Sequence, residues 1–378
     1  MQGKIGQIGR AEFFSLALVL CLSSLMLLGS AEKTAAQHAW LLVLAALPVG
    51  LLHLLLFALW TKLFAGQSFA AALYYAFGEA GGKIVLFAYA LFWLLLAEIF
   101  TGCIASFWAS LGANNLPLWL YAALFLLAAA CFAATGGTAL ARVALLVVVP
   151  ALLLALANLW LTVWGADFGN LLPVEFVDDG EALNLSRQGL FFGLLMFGGF
   201  SALLPVLQYV RAVKQRWGTL LCALLLALLL WLVLALGSQV VLGAALPLYE
   251  FPILQVFRLA EFGHWFSRFE VIGAVLLVML GLLRTSALFA ASVSSLCELW
   301  AFSGRQRGRI WLVALGCWLL LSLLFVFMPD YAGWLLGQSW LLWLVGGFSL
   351  LLPALAVLLG ARRFRKQHRN IVVKHQQY

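Results

Sequence analysis

One stretch of the chain, residues 189–216, GLFFGLLMFGGFSALLPVLQYVRAVKQR, limits the possible folds more than any other. It is apolar for the ~20 residues that one bilayer crossing needs. Yet Gly198 and Gly199 fall in its middle, and Pro205 follows within two turns. Glycine has no Cβ and proline has no N–H, so together they weaken the helix where it should be strongest. Backbone groups released at membrane depth must face protein or a wet cavity. The stretch therefore reads as a discontinuous helix lining a site near the bilayer midplane. The alternative is a continuous helix in which the two glycines serve packing alone.

Composition sets the setting for that helix. With 65% hydrophobic and only 10% charged residues in 378 positions, the chain reads as a polytopic membrane protein and not as a soluble domain. The net charge of +8 follows loops between apolar runs, which leaves no basic stripe for a nucleic acid. The six cysteines, at 21, 103, 131, 222, 297 and 317, lie singly within apolar spans and without metal-ligand spacing. They read as small core residues, with no metal or cofactor expected. No catalytic motif is present, so an enzyme is not expected. Residues 13–28, followed by small residues, have the outline of a signal peptide but read here as a retained first helix.

Hydropathy and turn signals divide the chain into ten spans: 13–28, 40–60, 84–111, 118–134, 144–164, the stretch 189–216 described above, 220–242, 269–300, 310–328 and 340–359. A short apolar segment at 69–77 precedes the third, and 248–264 reads as a loop carrying a short amphipathic helix. With the N-terminus inside, 17 of the 22 Lys and Arg residues fall on the cytoplasmic side, and Lys33, Arg187, Arg258 and Arg268 fall outside. Both termini are therefore expected to be cytoplasmic, and the outer loop bearing Asp167, Glu175, Asp178, Asp179 and Glu181 to be acidic. Ten spans form two fives, 1–164 and 189–360, in a single domain with a basic tail at 361–378. An odd number of crossings forces the second five to enter from the opposite face, so the repeat is inverted. In such an architecture spans one and six are the broken ones. Span one offers only Leu22, Ser23 and Ser24 for its break, with Gly29 near its end.

Ionisable side chains at membrane depth cost about 2.5–3.5 kcal/mol on insertion scales, so each demands a reason. Glu98, with Thr101 one turn on, lies in the third span, and Arg284, followed by Thr285, lies in the eighth. Arg284 suits an anionic group of a ligand, and Glu98 an amine or a proton. The other reading is a structural charge pair between helices. Candidate ligand-binding residues are thus Ser23, Ser24, Glu98, Thr101, Gly198, Gly199, Ser201, Arg284 and Thr285. His53 reads as a core histidine.

The order of several short motifs resembles the spore germination permeases, the B subunits of germinant receptors in the amino acid, polyamine and organocation transporter superfamily. They are Lys4-Ile5, the TGGTALAR turn at 135–142, NLLPV at 170–174, FPILQVFRL at 251–259, RFE at 268–270, LLRTS at 282–286, MPD at 328–330 and LLPAL at 351–355. The resemblance implies an all-α, leucine-transporter-like fold of ten transmembrane helices in a 5+5 inverted repeat. It further implies a nutrient ligand such as an amino acid, and partnership with an A-type membrane subunit and a C-type lipoprotein in the spore inner membrane. Many members carry an acidic residue where this chain has Ser201, and some carry an arginine near Gly102. Many also carry lysine at 284. An ion-coupled secondary transporter of amino acids or amines, and a scaffold with a vestigial cavity, remain alternatives at this point.

Overall fold

The computed structural model describes residues 7–27, 38–64, 66–111, 116–164, 166–171, 179–210, 216–259, 269–300, 307–328, 335–336 and 338–375. Lys4-Ile5, Gly29, Lys33, the acidic segment at 172–178, Arg211, Lys214, Arg268, Arg305 and Pro329-Asp330 lie outside these residues. Among the described residues, ten helical stretches are long and apolar enough to cross a membrane.

The first half runs α1 (Arg10–Leu22), α2 (Ala39–Leu63), the short α3 (Phe69–Phe77), α4 (Glu79–Ser110), α5 (Leu118–Thr135) and α6 (Gly137–Trp164). Its joints follow local chemistry. Ser68 caps α3 by accepting the Ala71 N–H at 3.2 Å. Gly136, at φ +92°, turns α5 directly into α6, a backbone state that a side-chain-bearing residue resists.

The second half runs α7 (Asp179–Gly198), two 3-10 segments (Gly199–Leu203 and Pro205–Tyr209), α8 (Arg216–Leu242), α9 (Pro252–Leu259), α10 (Phe269–Leu299) and α11 (Arg307–Phe327). The tenth span is α12 (Ser339–Gly346) joined through a π-helical turn, Gly347–Leu351, to α13 (Leu352–His375). The short helix expected in 248–264 is α9. Asn170, from the NLLPV motif, ties the end of α6 to α8: its Nδ2 donates to the Val240 carbonyl at 3.0 Å, and its own carbonyl accepts from Gln239 Nε2 at 2.9 Å.

Burial shows which spans form the centre. In spans one and six, 78% of the most apolar window is buried, against 28% in spans four, nine and ten, so the two broken helices are the core and the latter three its rim. Between helices in lipid, hydrophobicity gives little drive and close packing must substitute. Accordingly Gly189 and Gly193 of α7 lie against α2; a Cβ at Gly193 would come within 3.0 Å of the Ala46 Cα.

Candidate functional site at the broken helices

α1 stops at Leu22, and Ser23 and Ser24 form a turn before residues 25–27 resume as helix. The break expected from two serines is real. Ser23 Oγ donates back to the Leu20 carbonyl at 3.0 Å, while Ser24 Oγ donates across to the Met196 carbonyl at 3.1 Å. In span six the break is a change of pitch: α7 ends at Gly198 and continues as 3-10 helix without unwinding. Ser201 holds that transition, donating to the Gly198 carbonyl at 2.7 Å and accepting Trp93 Nε1–H at 2.9 Å.

The last carbonyls of an α-helix lack intrahelical partners, and the end of α1 here meets the point at which α7 tightens into 3-10 helix. Arg284 of α10, fully buried, serves both. Its Nη1 donates to the Leu20 carbonyl at 3.0 Å and to Ser24 Oγ. Its Nη2 donates to the carbonyls of Leu195 at 2.9 Å and Met196 at 3.3 Å. The Phe100 ring lies 3.7 Å from the guanidinium carbon, a cation–π contact. Gly199 makes room for the group, since a Cβ there would stand 2.7 Å from Arg284 Nη2. Gly198 answers to a different neighbour, because its Cβ would stand 2.8 Å from Val345 Cγ1.

The electrostatics explain how the cation is tolerated. The end of α1 carries up to roughly half a negative elementary charge, and the carbonyl dipoles of Leu195 and Met196, at the change of pitch in span six, add to it, so together they offset part of the guanidinium charge. Among the described residues Arg284 makes no ion pair, unlike Lys83 with Glu79 and Arg142 with Glu12. The charge pair with Glu98 weighed from the sequence is therefore not formed. Residues 98 and 100 of a helix point about 200° apart, so the helix face that lays Phe100 on Arg284 turns Glu98 away. Glu98 is buried with neither carboxylate oxygen hydrogen-bonded. Thr101 donates to the Ala97 carbonyl at 2.7 Å, and the buried Thr285 hydroxyl has no partner.

The structure thus brings Ser24, Gly199 and Arg284 into one cluster, with Ser23, Gly198 and Ser201 holding its two helix ends. Glu98 and Thr101 face elsewhere. Sequence reasoning missed Phe100, Trp93 and the carbonyls of Leu20, Leu195 and Met196. The spacing of Trp93 and Phe100, seven residues on one helix face, was the available signal for the two rings. Carbonyls carry no residue identity to read.

A cavity of about 290 Å³ opens beyond the second break, lined among others by Gly136, Pro205, Tyr209, Ser294 and Glu298. Basic and N-terminal segments gather near that end. Ile8 N–H donates to the Tyr209 carbonyl at 2.9 Å, and Arg142 approaches Glu12 at 3.5 Å.

Two helices interrupted at the centre of a ten-span bundle define a permease of the leucine-transporter-like architecture. A solved structure with the same fold, "Crystal structure of MhsT in complex with L-phenylalanine", is similar to this chain at TM-score 0.59 and 16% identity, covering 94% of this chain and 89% of the other. The chain belongs to the spore germination protein family, whose model matches residues 8–331. No curated protein sequence matches it. Fold and family are those of membrane permeases and not of enzymes.

Proposed function

We propose that this chain is the nutrient-sensing, permease-like subunit of a spore germinant receptor. It binds a small molecule such as an amino acid where the broken helices meet, and signals to an A-type membrane subunit and a C-type lipoprotein in the spore inner membrane, with both termini cytoplasmic. The observation that carries this reading is Arg284, one side chain hydrogen-bonded to the ends of both broken helices. A carboxylate adds a full negative charge and a bidentate match to the guanidinium fork, which separate backbone carbonyls lack. A ligand carboxylate that takes over the Nη groups detaches one helix end or both, giving the two states different ligand affinities, as a binding-driven switch requires. The L-phenylalanine in the similar structure supports an amino acid as the ligand class.

The test is germination of spores carrying Arg284→Lys, compared with wild type at matched membrane levels. Lysine keeps the charge but loses the planar fork, so a shifted nutrient concentration dependence is expected. An unaltered dependence would remove Arg284 from ligand recognition. The cavity beside Tyr209 and Glu298 favours a second reading, an ion-coupled transporter in which that space is the exit to one side. Uptake of radiolabelled amino acids into proteoliposomes separates the two, because the receptor reading expects none.

A further inference from the structure

We infer that the meeting point of the broken helices is a cation site whose resident occupant is the Arg284 guanidinium, so that the chain holds its two halves together without a metal ion. This inference concerns what fastens the junction, and stands whether or not a nutrient binds there. Three carbonyls, of Leu20, Leu195 and Met196, and the Ser24 hydroxyl surround the guanidinium nitrogens. An all-oxygen set drawn from helix C-termini is the donor type that broken membrane helices offer to small cations. Its charge also fits a monovalent occupant: one helix end supplies about half a negative elementary charge, and the remaining donors are neutral oxygens. A divalent ion would call for carboxylates, and among the described residues no carboxylate oxygen lies within ion-pair distance of Arg284.

One further feature belongs to a cation site. The face of Phe100 presents its negative quadrupole to the guanidinium at 3.7 Å. The cation is therefore covalently part of α10, and its concentration at the junction never varies. Removing the guanidinium while leaving the oxygens should create a vacancy that a mobile cation can fill.

The experiment is thermal unfolding of the full-length protein in detergent, in sodium, potassium or N-methylglucamine chloride at equal ionic strength, with and without millimolar methylguanidinium. Wild type is expected to unfold at one temperature in all three salts. Arg284→Ala should unfold lower in N-methylglucamine, then recover saturably on adding sodium or methylguanidinium, by a shift on the order of 5 °C at a hundredfold excess over Kd. Arg284→Lys retains a tethered charge and should remain insensitive to the salt cation. Stabilisation of wild type by sodium would overturn the inference, as would an alanine variant that folds but responds to no cation. Should the alanine variant fail to accumulate, the lysine variant decides: insensitivity supports the resident cation, and stabilisation by sodium overturns it.

Discussion

Replacing Arg284 with Met keeps most of the apolar stem and removes the guanidinium. Leu20 keeps Ser23 as a donor to its carbonyl, and Met196 keeps Ser24, so only the Leu195 carbonyl loses its sole side-chain donor. Losing that charge-assisted bond costs about 1.5–3 kcal/mol. The end of α1 loses its counter-charge, at up to ~2 kcal/mol, and the contact with Phe100 adds about 2 kcal/mol when desolvated. Relief from burying a cation returns about 3 kcal/mol. The net loss is on the order of 3 kcal/mol, a large part of a fold stability of roughly 5–15 kcal/mol. At the lower end of the scaling for large domains, this lowers the unfolding temperature by roughly 6 °C. Unfolding can be followed with a thiol-reactive dye, because Cys21 and Cys317 are free and buried. The decisive control is Arg284→Met combined with Glu98→Gln. Since Glu98 does not pair with Arg284, the double variant should be no more stable than the methionine variant alone. Recovery of wild-type stability in the double variant would refute the helix-end account, as would a methionine variant that melts with wild type.

Other outcomes follow from the same geometry. Gly199→Ala should displace the guanidinium, lowering the unfolding temperature in the same dye assay and weakening the nutrient response; Gly199→Leu should abolish that response while the protein still inserts. Glu98→Met should accumulate at least as well as wild type, gaining about 1–3 kcal/mol from removal of an unpaired buried carboxyl, and a lower unfolding temperature would reveal a partner for that group. A reporter fused after Tyr378 should read as cytoplasmic and one inserted at Asp178 as external, and an external C-terminus would overturn the orientation.

The spans were legible because a bilayer imposes a length and an apolar composition that few other constraints imitate. The break in span six was legible in Gly198, Gly199 and Pro205, although its form was not: a glycine pair marks a weak place without saying whether the chain unwinds or tightens into 3-10 helix. Ser23 and Ser24 gave the break in span one more faintly, since hydroxyls also occur in continuous membrane helices. Arg284 stood out by its cost at depth, and so did Glu98. Their separation was not legible, because it depends on which face of α4 meets α10. The π turn at Gly347–Leu351 was not legible in the sequence, yet Tyr89 donates to its Phe348 carbonyl at 2.8 Å and Phe92 stacks on Phe348.

The contact between Ile8 and Tyr209 has a mechanical meaning beyond its single hydrogen bond. It fastens the chain just before α1 to the end of span six, as part of a short parallel bridge between Ile8 and Val210. Arg284 fastens the same two spans at the bundle centre. A body held at two points keeps one easy freedom, rotation about the line that joins them. While both fastenings hold, spans one and six can turn relative to each other only about that line. Loosening the central point alone leaves the Ile8 end as a pivot, from which a small movement at Arg284 grows with distance along the helices.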